Sequence, residues 1–67
     1  MKAKELREMT IDELELKEKE LKEEYFQTRM KAAIGQLEKP SILKNLRRDI
    51  ARVKTILRQK RALIKDK

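Results

Sequence analysis

A chain of 67 residues, 46% of them charged and only 3% aromatic, has room for one domain and too little apolar surface to be comfortably stable alone. That balance suits long solvated helices and argues against a sandwich, a barrel or a deep pocket for a small-molecule substrate. Lys and Arg outnumber Asp and Glu by 19 to 12, and the net charge of +7 draws a polyanion, while the lack of Cys and His removes disulfides, thiolate chemistry, the usual zinc sites and an imidazole base.

The opening Met1-Lys2-Ala3-Lys4-Glu5-Leu6-Arg7 is charged throughout. No stretch approaches the roughly 18 apolar residues of a spanning helix, so neither a signal peptide nor a membrane segment is expected. Residues 3–8 fit a short extra helical turn. The first long helix, about 10–34, starts at Thr10-Ile11-Asp12-Glu13, where Thr10 can cap the Glu13 amide and Glu13 can reach back. Asp12, Glu13 and Glu15 also stand where the helix dipole favours negative charge. Ile11, Leu14, Glu18, Leu21, Tyr25, Thr28 and Ala32 then recur at steps of three and four and form one stripe.

Helical character breaks only between Gly35 and Pro40. Gly suits the left-handed position just past a helix end and Pro the first turn of the next helix, so residues 35–40 are the turn of a hairpin. In the second helix, about 41–64, the same spacing gives Leu43, Leu46, Ile50, Val53, Leu57, Lys60 and Ile64, widened by Ile42, Ile56 and Leu63. Residues whose numbers sum to about 75 should face each other, because both helices rise about 1.5 Å per residue. That register sets Ala32 by Leu43, Thr28 by Leu46, Tyr25 by Ile50, Leu21 by Val53 and Ile11 by Ile64, matching the stripes over their whole length. Glu18 and either Lys60 or Arg61 are expected to pair across the seam. The fold class is therefore all-α: an antiparallel two-helix hairpin, coiled-coil-like, forming a single unit over residues 1–67.

Charge is unevenly divided. Residues 1–27 carry six basic and nine acidic side chains, residues 28–67 thirteen and three. Around the second helix Lys44, Arg47, Arg48, Arg52, Lys54, Arg58, Arg61 and Lys65 occupy the arc opposite the apolar stripe, with only Asp49 and Asp66 to offset them after Ser41. Like charges at such spacings destabilise a lone helix, and an anion is the natural compensation. Arg in particular suits bidentate phosphate contacts. The first helix mixes signs, as in Lys17-Glu18-Lys19-Glu20, and reads as a solvated face. One glycine leaves no phosphate-binding loop, and the carboxylates of residues 12–24 lie along an exposed helix, so no enzyme and no cofactor are expected. Tyr25 falls on the seam and reads as core; Phe26 lies beside it, within reach of a partner. Two aromatics so placed make a base-stacking platform a poor expectation.

The run Arg29-Met30-Lys31-Ala32-Ala33-Ile34-Gly35-Gln36-Leu37-Glu38-Lys39-Pro40-Ser41, with Arg47-Arg48-Asp49-Ile50-Ala51-Arg52 and Thr55, resembles the L-twenty-nine family of large-subunit ribosomal proteins. The opening residues and the start at Thr10 to Leu14 are similar to it as well. The resemblance implies a cytoplasmic, ribosome-bound hairpin on large-subunit ribosomal RNA near the exit of the nascent-peptide tunnel, beside another ribosomal protein. It also implies RNA contacts from Arg29, Gln36, Ser41, Arg47, Arg48, Arg52 and Thr55; the charge pattern adds Lys44 and Arg58. Two positions depart from the family. Lys39 stands where Asn often precedes the Pro, removing a helix cap and offering a phosphate contact. Ile42 stands where a basic residue is common. Recognition of this kind is of shape and phosphate, with little base reading. The competing expectation is a coiled-coil interaction module whose basic face is merely solvated; a membrane-surface helix fits less well, because the apolar stripes already match each other.

Overall fold

The expected cap at Thr10 forms in a computed structural model of the protein, which describes residues 2–36 and 39–65, the side chain of Lys65 excepted. The Glu13 amide donates to Thr10 Oγ1 at 3.1 Å and the Thr10 amide to Glu13 Oε1 at 3.4 Å, so two amide donors at the helix start are satisfied reciprocally. Three helices follow in chain order: α1 (Ala3–Glu8), α2 (Ile11–Ala33) and α3 (Ser41–Lys65). No strand occurs among the described residues. The short turn expected over residues 3–8 is thus a helix in its own right.

α2 stops through its backbone. Gly35 has φ +75°, its amide donates to the Ala32 carbonyl at 3.1 Å, and the Gln36 amide donates to the Lys31 carbonyl at 2.8 Å. These two bonds make a Schellman motif, which uses up carbonyls that the helix end leaves free. A Cβ on Gly35 would meet nothing within 4 Å, so the positive φ alone calls for glycine. Leu37 and Glu38, both within the expected turn, lie outside the described residues, as does Asp66. Pro40 stands one residue before α3 rather than inside its first turn.

α2 and α3 pack antiparallel in an elongated body 49 Å long and 17 by 14 Å across. Leu14, Leu21 and Thr28 of α2 are buried against Leu46, Val53 and Leu57 of α3, and Tyr25 and Ile50 are half-buried beside them. The buried Thr28 hydroxyl donates to the Glu24 carbonyl at 2.8 Å, which removes the cost of placing a hydroxyl in the seam. The Arg61 guanidinium lies 3.0 Å from Glu15 Oε1, one residue off the register expected from the turn.

Three expectations change at the open end of the hairpin, and α1 is the reason. Leu6 is 1% exposed and joins the core cluster with Ile56, which is itself buried instead of flanking the stripe. Met9 and Ile11 pack against the same cluster. Ile64, expected to face Ile11 in a closed seam, is 62% exposed, and Leu63 stands out in solvent with it. The stripes therefore do not match over their whole length; α1 takes up the apolar surface near the open end. Nor does Glu18 bridge the seam. Lys60 donates to the Met9 carbonyl just past α1, Arg61 pairs with Glu15, and Glu18 lies 3.8 Å from Lys22 one turn along its own helix. A lysine cation at the end of α1 satisfies a terminal carbonyl where the dipole favours positive charge, which explains its choice of partner.

Candidate nucleic-acid interface

With Leu46, Val53, Ile56 and Leu57 turned inward, helical geometry puts the opposite arc of α3 on its outer surface. Lys44, Arg47, Arg48, Arg52, Lys54, Thr55 and Arg58 are all exposed. Lys44, Arg47 and Arg48 surround a shallow depression over Ala51, where three cationic side chains converge on a small residue. The Thr55 hydroxyl donates to the Ala51 carbonyl at 2.9 Å, which fixes its direction and leaves its lone pairs to accept from a ligand.

The arc splits into two flanks, each bordered by a different helix. On the side facing α2, Lys54, Arg58 and Arg61 line a depression with Glu18, Leu57 and Ala62. Arg61 is drawn toward Glu15 here, so part of this flank is neutralised within the molecule. On the other side Arg52 and Thr55 line a groove with Ala51, Ile56 and Gln59, closed from across by Ala3 and Arg7 of α1. Arg7 and Gln59 belong to the basic surface although the sequence singled out neither. Arg7 lies in the net-acidic stretch of residues 1–27, and only the docking of Leu6 brings it to α3. The one signal for that docking was Leu6 itself, an apolar residue in an otherwise polar segment.

The remaining expected contacts cluster around the turn. Arg29 is on the exposed side of α2 with its guanidinium carbon 5.8 Å from the centre of the Tyr25 ring, within cation–π range. The core reading of Tyr25 thus holds for one face of the ring only: it is half-buried and carries a cation. Gln36, Lys39 and Ser41 are exposed on either side of residues 37–38, and the Lys39 carbonyl accepts from the Ile42 amide at 3.2 Å as α3 begins. The Lys65 side chain, expected on the same arc, lies outside the described residues. Among the described residues no group of acidic side chains is arranged to hold a metal, and no helix is long and apolar enough to cross a membrane.

The surface is thus an exposed basic face of α3 flanked by two depressions, one bordered by α2 and the other by α1. A family model described as "Ribosomal L29 protein" matches residues 4–60. The chain is 63% identical over 60 residues to the large ribosomal subunit protein uL29 of Natranaerobius thermophilus, covering 90% of this chain and 92% of that one. It is 57% identical over 60 residues to the uL29 of Syntrophus aciditrophicus, with the same coverage. To the uL29 of Syntrophotalea carbinolica it is 55% identical over 62 residues, 92% of this chain and 100% of that one.

Proposed function

This chain belongs to the ribosomal L29 protein family and is a structural rather than catalytic constituent of the large ribosomal subunit, and on that premise we propose that it grips ribosomal RNA through its turn and α3. The observation that carries this reading is the outward face of α3, where Lys44, Arg47, Arg48, Arg52, Lys54 and Arg58 are all exposed. Arg29, Gln36, Lys39 and Ser41 extend the same surface around the turn, and Thr55 adds a hydroxyl. Guanidinium forks meet phosphate oxygens in pairs, so the affinity comes from backbone contacts and the register from the shape of the RNA.

The position is near the exit of the nascent-peptide tunnel on cytoplasmic ribosomes, with another ribosomal protein alongside. An apolar surface for such a neighbour exists: Phe26, Met30 and Ile34 recur every fourth residue and are 66%, 57% and 67% exposed. α2 contributes little to RNA binding apart from Arg29, since its outer face mixes signs.

The test is binding of the protein to large-subunit ribosomal RNA across a salt titration. Arg48→Ala should weaken binding about tenfold, the scale of a lost charge-assisted hydrogen bond. It should also lower the salt slope by about 0.7 to 0.9, one phosphate contact's worth. Unchanged affinity and slope for Arg48→Ala and Arg47→Ala together would mean that another surface binds the RNA.

A further inference from the structure

The groove between α1 and α3 is lined mainly by exposed side chains and meets the core only at Ile56. Ala3 and Arg7 of α1 face Ala51, Arg52, Thr55 and Gln59 of α3 across it. Arg52 and Gln59 are seven residues apart, so the groove follows about 10 Å of α3. Two things hold α1 in place above it: Leu6, buried at 1% exposure, and the bond from Lys60 to the Met9 carbonyl. Arg7 and Gln59 are themselves exposed and build nothing in the hydrophobic cluster.

Resting on the RNA-binding reading above, we propose that this groove holds a ribose–phosphate segment of the ribosomal RNA, with α1 as its second wall. Arg7 and Arg52 approach the phosphate oxygens from opposite sides. Thr55 Oγ1, whose proton already goes to Ala51, accepts from a ribose 2′-hydroxyl, and the Gln59 amide can both accept and donate there. A segment with a 2′-hydroxyl uses all four side chains, whereas DNA would use only the charged pair. α1 is thereby a working part of the interface and Leu6 the residue that positions it.

The experiment compares Arg7→Ala, Lys4→Ala and Arg48→Ala in binding to large-subunit ribosomal RNA over a salt series. Lys4 is an exposed cation on the same helix that does not line the groove. The expected result is a five- to tenfold loss for Arg7→Ala with a shallower salt slope, and less than twofold for Lys4→Ala. Leu6→Ala, checked by circular dichroism to keep α2 and α3 helical, should reproduce the Arg7→Ala loss by undocking the wall. Thr55→Val should weaken RNA binding and leave binding to a DNA copy of the same sequence unchanged. If Arg7→Ala binds like Lys4→Ala while Arg48→Ala is weakened, the groove is not a binding site and the basic face of α3 stands alone. If Arg7→Ala and Arg48→Ala both bind like the parent, the RNA-binding reading fails with it.

Discussion

The two ends of the hairpin are built on different terms. At the open end three helices meet, and Leu6, Leu14, Val53, Ile56 and Leu57 are all buried. At the turn end only two helices are present. Thr28 and Leu46 are buried there, while Phe26, Met30, Ile34 and Ile42 remain exposed. A chain this small cannot bury everything, and it concentrates its packing where α1 can close over the seam. The turn end leaves apolar and basic side chains uncovered. The seat of stability is therefore separated along one axis from the exposed apolar edge at Phe26, Met30 and Ile34, while the basic face of α3 runs past both.

The most severe way to break that separation is at the open end. Leu14→Ala removes a fully buried side chain and should cost about 2–5 kcal/mol, enough to unfold much of a domain this size in urea titration. If the loss were below about 1 kcal/mol, the open end would not be the seat of stability. Gly35→Ala tests the turn end, where the left-handed φ of +75° should penalise a Cβ by about 1–2 kcal/mol in thermal melting. An equal loss at the two sites would erase the contrast. Glu15→Gln removes the partner of Arg61 in an exposed ion pair and should change stability by less than about 1 kcal/mol, an effect that fades as salt is raised. Smallest of all is Phe26→Ser, expected to leave folding within about 0.5 kcal/mol of the parent. Its effect should instead appear as poorer retention on large subunits during salt washing, if a protein neighbour covers that edge.

What could be read from the sequence was what local chemistry decides. Thr10 and Glu13 are three residues apart and meet through the helix they start; Gly35 supplies a backbone geometry that other residues avoid. The register followed from two stripes and a turn, and the Glu15–Arg61 pair falls within one residue of it. The basic arc was legible for the same reason, since cations at helical spacing must share a face. The docking of α1 was not, because a six-residue helix with one buried leucine has almost no periodicity to read. Lys60 chose a main-chain carbonyl over the carboxylate expected for it, and a carbonyl leaves no mark on the sequence. The loss of Ile64 from the seam follows from the same docking. On the proposed binding surface, the side chains of α3 were in view from the start, but Arg7 was hidden behind a contact that only three dimensions provide.

The bond from Lys60 to the Met9 carbonyl spans 51 positions of the chain. A ribosome adds residues from the N-terminus onward, so α1 and α2 are complete long before Lys60 exists. Until α3 has been made and folded back, α1 has neither its lysine nor the Ile56 surface that covers Leu6. Docking of α1 is thus a late event for the growing chain, and it closes a loop of long sequence separation. The groove between α1 and α3 therefore takes shape only after residue 60 has been added.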